Sequence, residues 1–188
     1  KFLWTACPCP DKKAVMIKLH LGCGDIRLEG WTNVDVRQTP GADLIEDISV
    51  LPSFQKNTVD AIYACHVLEH FGLNREPSAQ NVLKRWVELL KPSGEIFISV
   101  PNIINLLKGI ELHQNDVYRT FDLLKAVYGG QEYPANIHYC GFTLQFLIAV
   151  MHGAGLTQIQ PFQSFCDDTS KFVLHGVLVS LNLKGTKA

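Results

Sequence analysis

The chain has 188 residues, of which 47% are hydrophobic and 19% charged, and its formal net charge is −1 at pH 7. This length and balance are typical of one globular domain with a substantial core. A near-neutral charge argues against a nucleic-acid partner, which usually selects a basic surface. The longest apolar run, residues 146–151, is too short to span a membrane, so no membrane span is expected.

Seven segments are predicted to be strands, because each is a short apolar run bounded by turn residues. In chain order they are residues 17–21, 32–36, 43–46, 59–64, 95–100, 156–162 and 172–183. Apolar side chains at helical spacing predict helices over residues 80–90 and 143–152. The alternation of strands and helices indicates a parallel sheet with right-handed crossovers. The last two strands are predicted to form a hairpin.

The connections after the first three predicted strands are too short for full helices. A parallel sheet needs both faces covered, so we expect one face to be covered by residues 1–15, by residues 103–140 or by a second subunit. A homodimer is therefore one of the expected arrangements. Residues 103–140 fall outside the strand–helix rhythm and are interpreted as a cap-like insertion.

The cysteines are scattered along the chain, at Cys7, Cys9, Cys23, Cys65, Cys140 and Cys166. We interpret them as reduced thiols of a cytoplasmic protein rather than as a disulfide framework. No Cys or His pair at zinc spacing follows Cys7 and Cys9, so the sequence predicts no metal site. Residues 1–15 lack the pattern of a signal peptide, and we treat them as an extension of uncertain status ahead of one domain over residues 16–188.

A glycine turn follows the first predicted strand, and an acid ends the second. Gly22 and Gly24 allow a ligand to approach the backbone closely, and Asp35 can accept both hydroxyls of a ribose. The dinucleotide fingerprint has a third glycine where this chain has Arg27, and no P-loop is present. The turn is therefore predicted to bind a nucleoside-bearing cofactor that has no pyrophosphate.

Five segments in order resemble the class I S-adenosylmethionine-dependent methyltransferases, and most of all the small bacterial type-11-like group. They read LHLGCGD, GWTNVDV, ADLIEDISVLP, VDAIYACHVLEHF and LKPSGEIFISVPN, and the resemblance covers roughly Met16 to Leu183. It implies an α/β, Rossmann-like doubly wound, mostly parallel seven-stranded sheet whose last strand is antiparallel. It also implies methyl transfer from S-adenosylmethionine to an oxygen or nitrogen nucleophile of a small-molecule or sugar-containing acceptor.

The resemblance assigns the cofactor-binding residues along the carboxyl edge of the sheet. The backbone of Gly22, Cys23 and Gly24 would contact the methionine half and the ribose, and Asp35 would bind the ribose hydroxyls. Asp47 would bind the adenine, on which Ile48 would pack, although Glu46 replaces Asp47 if the register slips by one residue.

Two histidines are candidates for the base that takes a proton from the acceptor. His66 follows the fourth predicted strand and would also line the cofactor near its sulfonium. His138 lies in the cap-like insertion, just before a predicted helix. Further candidates for contacts with the acceptor are Asn102, Tyr118, Arg119 and Tyr139.

Two other functions stay open on the sequence alone. A non-catalytic, regulatory protein could bind the same cofactor with the same residues. An NAD-dependent oxidoreductase is disfavoured by the missing third glycine. The Pro-Pro motif of nucleic-acid amino-methylating enzymes is absent, since residues 65–68 read Cys-His-Val-Leu, and Cys65 follows Ala64 rather than the proline of a cytosine-methylating site.

Overall fold

The structure is a computed structural model that describes residues 15–164 and 166–188. Its helices are α1 (Ala79–Leu89), α2 (Ile103–Leu112), α3 (Val117–Tyr128) and α4 (Leu144–Gly153). Its strands are β1 (Lys18–Leu21), β2 (Thr32–Asp35), β3 (Leu44–Ile45), β4 (Val59–Cys65), β5 (Leu90–Pro101), β6 (Leu156–Pro161), β7 (Val173–Leu174), β8 (Val177–Leu178) and β9 (Ser180–Lys187). Residues 1–14, which include Cys7 and Cys9 and nearly all of the predicted extension, lie outside the described residues.

Seven of these strands form one sheet in the order β3-β2-β1-β4-β5-β9-β6. The pairs from β3 to β5 are parallel, and β9 is antiparallel to both of its neighbours. The predicted fold class, Rossmann-like and mostly parallel with an antiparallel last strand, is confirmed. The strand order reverses between β1 and β4, and open sheets of this kind hold ligands at that point, outside the carboxyl ends of the strands.

The predicted hairpin near the end of the chain is partly wrong. β6 does pair with the last strand, but that strand begins at Ser180 rather than at residue 172. β7 and β8 form a separate two-stranded hairpin, with Val173 opposite Leu178. His175 and Gly176 form its turn with φ of 52° and 82°, which matches the positive φ values that two-residue hairpin loops favour.

Helix α1 covers one face of the sheet. Ser78 caps its first turn by accepting a hydrogen bond from the Asn81 N–H, and its apolar side chains include the fully buried Leu83 and Trp86. The Trp86 Nε1–H donates to the carbonyl of Ile48 at 2.7 Å. This helix therefore packs the core and also anchors the residue that follows β3 at the carboxyl edge.

The residues between β1 and β4 contain no helix among those described, as the short connections predict. The fully buried Asn33 side chain organises the loop between β1 and β2 instead. It accepts from the Leu28 N–H at 2.9 Å and donates to the carbonyls of Leu28 and Trp31, each at 3.1 Å. Side-chain hydrogen bonds of this kind satisfy backbone groups that a helix would otherwise pair.

Residues 162–164 and 166–171 cover part of the second face of the sheet, and they were not among the three predicted covers. Asp168 accepts a hydrogen bond from the Tyr63 hydroxyl, and the Thr169 hydroxyl lies 3.2 Å from the Cys65 sulfur. Nearby, the Asn182 amide donates to the carbonyl of Ser170 at 3.0 Å. Sequence reasoning missed this segment because it has no apolar periodicity.

Helices α2 and α3 form most of the predicted cap-like insertion. They pack on each other and on the β7–β8 hairpin around a small cluster that includes Leu106, Leu123 and Val179. Gly109 allows this approach, because a Cβ there would lie 2.6 Å from a methyl group of Val177. In the described residues no helix is both long and apolar enough to cross a membrane.

We expect Trp86→Phe to destabilise the protein, because the Ile48 carbonyl loses its buried donor. The free energy of unfolding should fall by about 1–3 kcal/mol, the usual cost of one unpaired buried polar group. Urea unfolding followed by circular dichroism measures it. Lys84→Ala, at an exposed position of the same helix, is the control and should stay within about 0.5 kcal/mol of the parent. Equal stability of Trp86→Phe and the parent would contradict the role of this hydrogen bond.

Candidate active site

A cavity of about 490 Å³ opens at the carboxyl ends of β1, β2, β3 and β4. This volume is in the range of small-molecule binding sites. Its lining consists of Gly22, Gly24, Asp35, Val36, Arg37, Asp47, Ile48, His66, Val67, His70, Phe71, Tyr133, Ala135, Asn136, His138 and Thr169. The cavity therefore lies where the strand order reverses.

The glycine turn after β1 needs both of its glycines. Gly22 has φ of 63°, and a Cβ at this position would overlap a methyl group of Val67. Gly24 has φ of 52°, and a Cβ there would meet no atom within 4 Å. Gly22 thus allows close packing against the segment after β4. Gly24 leaves open space beside its Cα, while its N–H donates to Asp35 and its carbonyl accepts from the Thr39 hydroxyl.

Asp35 links this turn to the end of β2. It is 5% exposed, and its two carboxylate oxygens accept from the N–H groups of Gly24 at 2.9 Å and Arg37 at 2.8 Å. A carboxylate oxygen can accept more than one hydrogen bond, so both oxygens can still receive a ligand hydroxyl. The Arg37 guanidinium also stacks over the Tyr133 ring at 4.2 Å, which joins the edge of the cofactor site to the cap-like insertion.

The structure also separates the two acids that follow β3. Asp47 lines the cavity, and one of its oxygens accepts from the N–H of Ser49 at 2.9 Å. Glu46 does not line the cavity, and its carboxylate instead accepts from the N–H and hydroxyl of Ser53. The register thus favours Asp47, and not Glu46, as the acid that faces a ligand.

His66 stands at the end of β4 in a left-handed backbone conformation, with φ of 55°. Its Nε2 lies 2.7 Å from the Ser180 hydroxyl, which itself donates to the carbonyl of Thr169 at 2.6 Å. Because that hydroxyl proton is already used, Ser180 accepts from the His66 Nε2–H. The lone pair of His66 Nδ1 therefore points towards Glu69, whose carboxyl oxygen is 3.5 Å away.

Glu69 is the most unusual residue of the site. It is fully buried, and neither carboxyl oxygen has a hydrogen-bond partner among the residues that the structure describes. Burial raises the pKa of this carboxyl to about 8. His138 Nε2 lies 3.9 Å from the same oxygen, and the His70 and His138 rings are 4.8 Å apart, edge to face.

All three histidines around Glu69 are held neutral. Burial lowers the pKa of His66 to about 3, with a smaller contribution from His138. Burial and then His70 lower the pKa of His138 to about 4. The pKa of His70 is also lowered by burial, against the opposing effect of its hydrogen bond to the Ile137 carbonyl. Neutral imidazole rings offer lone pairs rather than additional N–H donors.

The cavity brings together most of the predicted cofactor residues and both candidate bases. These are Gly22, Gly24, Asp35, Asp47, Ile48, His66 and His138. Cys23 belongs to the same turn but does not line the cavity, since its side chain is buried. Burial, and then the nearby Asp35 carboxylate, raise the pKa of the Cys23 thiol to about 11, so it stays protonated.

The four candidates for acceptor contacts do not line this cavity. Asn102 caps helix α2 by accepting from the Asn105 N–H, and Tyr118 is 85% exposed on α3. Arg119 forms an ion pair with Asp116, the residue that caps α3. The Tyr139 ring lies under the Arg75 guanidinium at 4.9 Å. Asn102, Arg119 and Tyr139 thus make capping and surface contacts, and all four residues stay predictions as acceptor contacts.

Several lining residues, His70 among them, were not among the candidates drawn from the sequence. His70 shares a short segment with His66, and this spacing was a usable signal. Arg37, Tyr133, Asn136 and Thr169 carried no such signal, because they come from loops whose path the sequence pattern does not specify. Thr169 reaches the cavity through the segment that covers the second face of the sheet.

Comparisons with known proteins agree with this architecture. A family model described as a methyltransferase domain matches residues 31–98, from the end of the β1–β2 loop into β5. No curated protein matches the chain by sequence.

Solved methyltransferase structures share the fold at low sequence identity. A possible histamine N-methyltransferase from Thermotoga maritima is 14% identical with a TM-score of 0.59, over 92% of this chain and 82% of that one. An Archaeoglobus fulgidus methyltransferase is 16% identical with a TM-score of 0.57, over 93% of this chain and 87% of that one. The Burkholderia thailandensis 1,6-didemethyltoxoflavin-N1-methyltransferase, solved with S-adenosylhomocysteine, is 19% identical with a TM-score of 0.56, over 92% of this chain and 71% of that one.

The sheet order and the cavity at the switch point are those of the class I methyltransferase fold, which these solved structures share. The family model, described as a methyltransferase domain, matches residues 31–98, and this match agrees with the resemblance found in the sequence.

We expect Gly22→Ala to destabilise the fold by about 2–4 kcal/mol, from left-handed backbone strain and from overlap with Val67. The double variant Gly22→Ala/Val67→Ala removes the overlap but keeps the strain. The coupling free energy between positions 22 and 67 is obtained from urea unfolding of the parent, both single variants and the double variant. The double variant should lose less stability than the two single losses added together. Additive losses would contradict a direct contact between these positions.

Proposed function

We propose that the protein transfers a methyl group from S-adenosylmethionine to an oxygen or nitrogen nucleophile of a small-molecule or sugar-containing acceptor. The observation that carries the proposal is the order of side chains along the carboxyl edge of the sheet. Asp47 follows β3, Asp35 follows β2, the glycine turn follows β1 and His66 follows β4, and these four strands are neighbours in that order. Three strand spacings make an edge of about 14 Å, suited to an extended ligand.

In this arrangement the cofactor lies along the edge from adenine to sulfonium. Asp47 accepts from the adenine amine while Ile48 packs on the ring, and Asp35 holds the ribose hydroxyls. The open space beside the Gly24 Cα takes the methionine half. The reacting methyl group then lies near His66, beyond the glycine turn. Alignment of this methyl group with the acceptor nucleophile would supply most of the rate.

The acceptor would occupy the part of the cavity next to the histidines. The lining there includes His66, His138, Asn136 and Thr169, so imidazole rings and hydrogen-bonding side chains border the space. The net charge of −1 supports a small molecule rather than a nucleic acid. If the nucleophile is a hydroxyl, His66 or His138 is the residue that we propose as its base.

Asp35→Ala should weaken binding of S-adenosylmethionine by about 1–3 kcal/mol, since the ribose hydroxyls and the Gly24 N–H lose their acceptor. Titration calorimetry with S-adenosylmethionine measures this change, and thermal melting confirms that the variant is folded. Glu29→Gln is the matched control, because it removes one exposed negative charge from the same half of the chain. A dissociation constant equal to that of the parent would exclude Asp35 as the ribose ligand.

His66→Ala and His138→Ala should each reduce turnover more than they reduce affinity for the cofactor. Loss of a general base typically costs 10²–10⁴-fold in rate, roughly, whereas His152→Ala on α4 should have no effect. Product formation from labelled S-adenosylmethionine with candidate hydroxyl and amine acceptors provides the measurement. Near-full turnover of both variants with an identified acceptor would show that neither histidine is the base.

A homodimer and a cytoplasmic location also stay predictions. The dimer is supported by the apolar side chains that α3 exposes, among them Val117, Phe121 and Tyr128. Light scattering of the full chain tests it. A mass of 21.0 kDa, that of one chain, would contradict a dimer.

A further inference from the structure

We propose that His66, Glu69, His70 and His138 form a binding site for one divalent transition-metal ion beside the cofactor. This differs from the sequence analysis, which predicted no metal site although three residues separate His66 from His70, as they can between zinc-binding histidines. Ligand atoms of Glu69, His70 and His138 lie within 4.8 Å of one another, and His66 Nδ1 is 3.5 Å from Glu69.

The hydrogen bonds around the cluster leave only acceptor atoms pointing into it. Ser180 receives the Nε2–H of His66, so the Nδ1 lone pair of that ring faces Glu69. The Nδ1 of His70 is 3.0 Å from the carbonyl of Ile137, to which it must donate, and its Nε2 therefore keeps a lone pair. The fully buried Glu69 carboxyl adds two more oxygens that have no described partner.

Converging acceptors attract a cation, either a proton or a metal ion. A proton on Glu69 makes no normal hydrogen bond in this arrangement, because 3.5 Å to His66 and 3.9 Å to His138 are too long. Ligand atoms around an ion at about 2.1 Å lie about 3.0–3.4 Å apart. Modest side-chain rotations would bring Glu69, His70 and His138 to that spacing, and His66 Nδ1 already lies 3.5 Å from Glu69.

The backbone fixes the four residues relative to one another. His66, Glu69 and His70 belong to one short segment that ends in the 3₁₀ turn Leu68–His70. The carbonyl of Glu69 accepts from the N–H of Tyr139 at 2.8 Å, so the loop that carries His138 is bonded to that same segment. Ile137 and Ser180 then orient two of the rings from outside, as partners of metal-bound histidines generally do.

Three imidazoles and one carboxylate are a donor set for zinc, iron or manganese rather than for magnesium or calcium. His66, His70 and His138 line the cavity, so an open coordination position would face the acceptor. An ion there would bind and polarise an acceptor oxygen, which lowers the pKa of a hydroxyl. This role rests on the proposed methyl transfer and specifies an acceptor with a hydroxyl group. With the ion bound, the metal rather than a histidine makes that hydroxyl reactive, because a metal-bound nitrogen has no lone pair left for a proton.

Titration of the chelator-treated, full-length protein with Zn²⁺ tests the site by calorimetry. We expect one ion per chain. Binding should be more than about 100-fold weaker in Glu69→Gln and in His70→Ala. Mutation of a residue that only hydrogen-bonds to a metal ligand typically weakens binding by about 10–100-fold. His152→Ala and the double variant Cys7→Ser/Cys9→Ser are controls that should bind as the parent does. Because Glu69 has no described partner, Glu69→Gln should stay folded, and its circular dichroism spectrum should match that of the parent.

Co²⁺ provides a second readout, since nitrogen and oxygen ligands give visible bands without the intense ultraviolet band of thiolate ligands. The parent should show these bands, and His70→Ala should lose them. Parent-like binding of Zn²⁺ by both Glu69→Gln and His70→Ala, or no binding by the parent, would overturn the site. If Zn²⁺ binds but S-adenosylmethionine does not, the proposed function fails while the metal site stands. If S-adenosylmethionine binds but Zn²⁺ does not, the metal site fails while the proposed function stands.

Discussion

The close packing of Gly22 against Val67 is the constraint on which the rest of the site depends. It brings the turn after β1 against the segment after β4, at the point where the strand order reverses. One side of this contact carries Gly24, and the other side carries His66 and Glu69. A side chain at position 22 would separate the two halves, and the cavity between them would lose its shape.

The parts of the fold that were predictable are those specified by local patterns. Strands β1, β4 and the glycine turn follow from short apolar runs that end in glycine or polar residues, and α1 follows from apolar spacing plus a serine cap. The boundary of β9 was wrong because Phe172 to Val179 is as apolar as a sheet strand. The turn at His175 and Gly176, where φ is positive, ends the small hairpin before the sheet strand begins. The hydrophobicity pattern does not show this turn.

The site was predictable on the side formed by β1, β2 and β3, where each residue follows its strand directly. On the opposite side of the cavity, the position of each residue depends on long-range contacts. Thr169 and Tyr133 arrive from loops held by Tyr63 and Arg37. The grouping of His138 with Glu69 likewise depends on backbone hydrogen bonds across distant parts of the chain, and spacing along the sequence contains no trace of them.

The left-handed backbone of His66 limits which amino acids can replace it during divergence. Non-glycine residues at such φ values are mainly Asn, Asp and His, whereas β-branched residues are strained there. Substitution of His66 is therefore restricted to a few amino acids. Tyr133, Asn136 and Thr169 line the same cavity without a positive φ, so substitutions there meet no such backbone restriction.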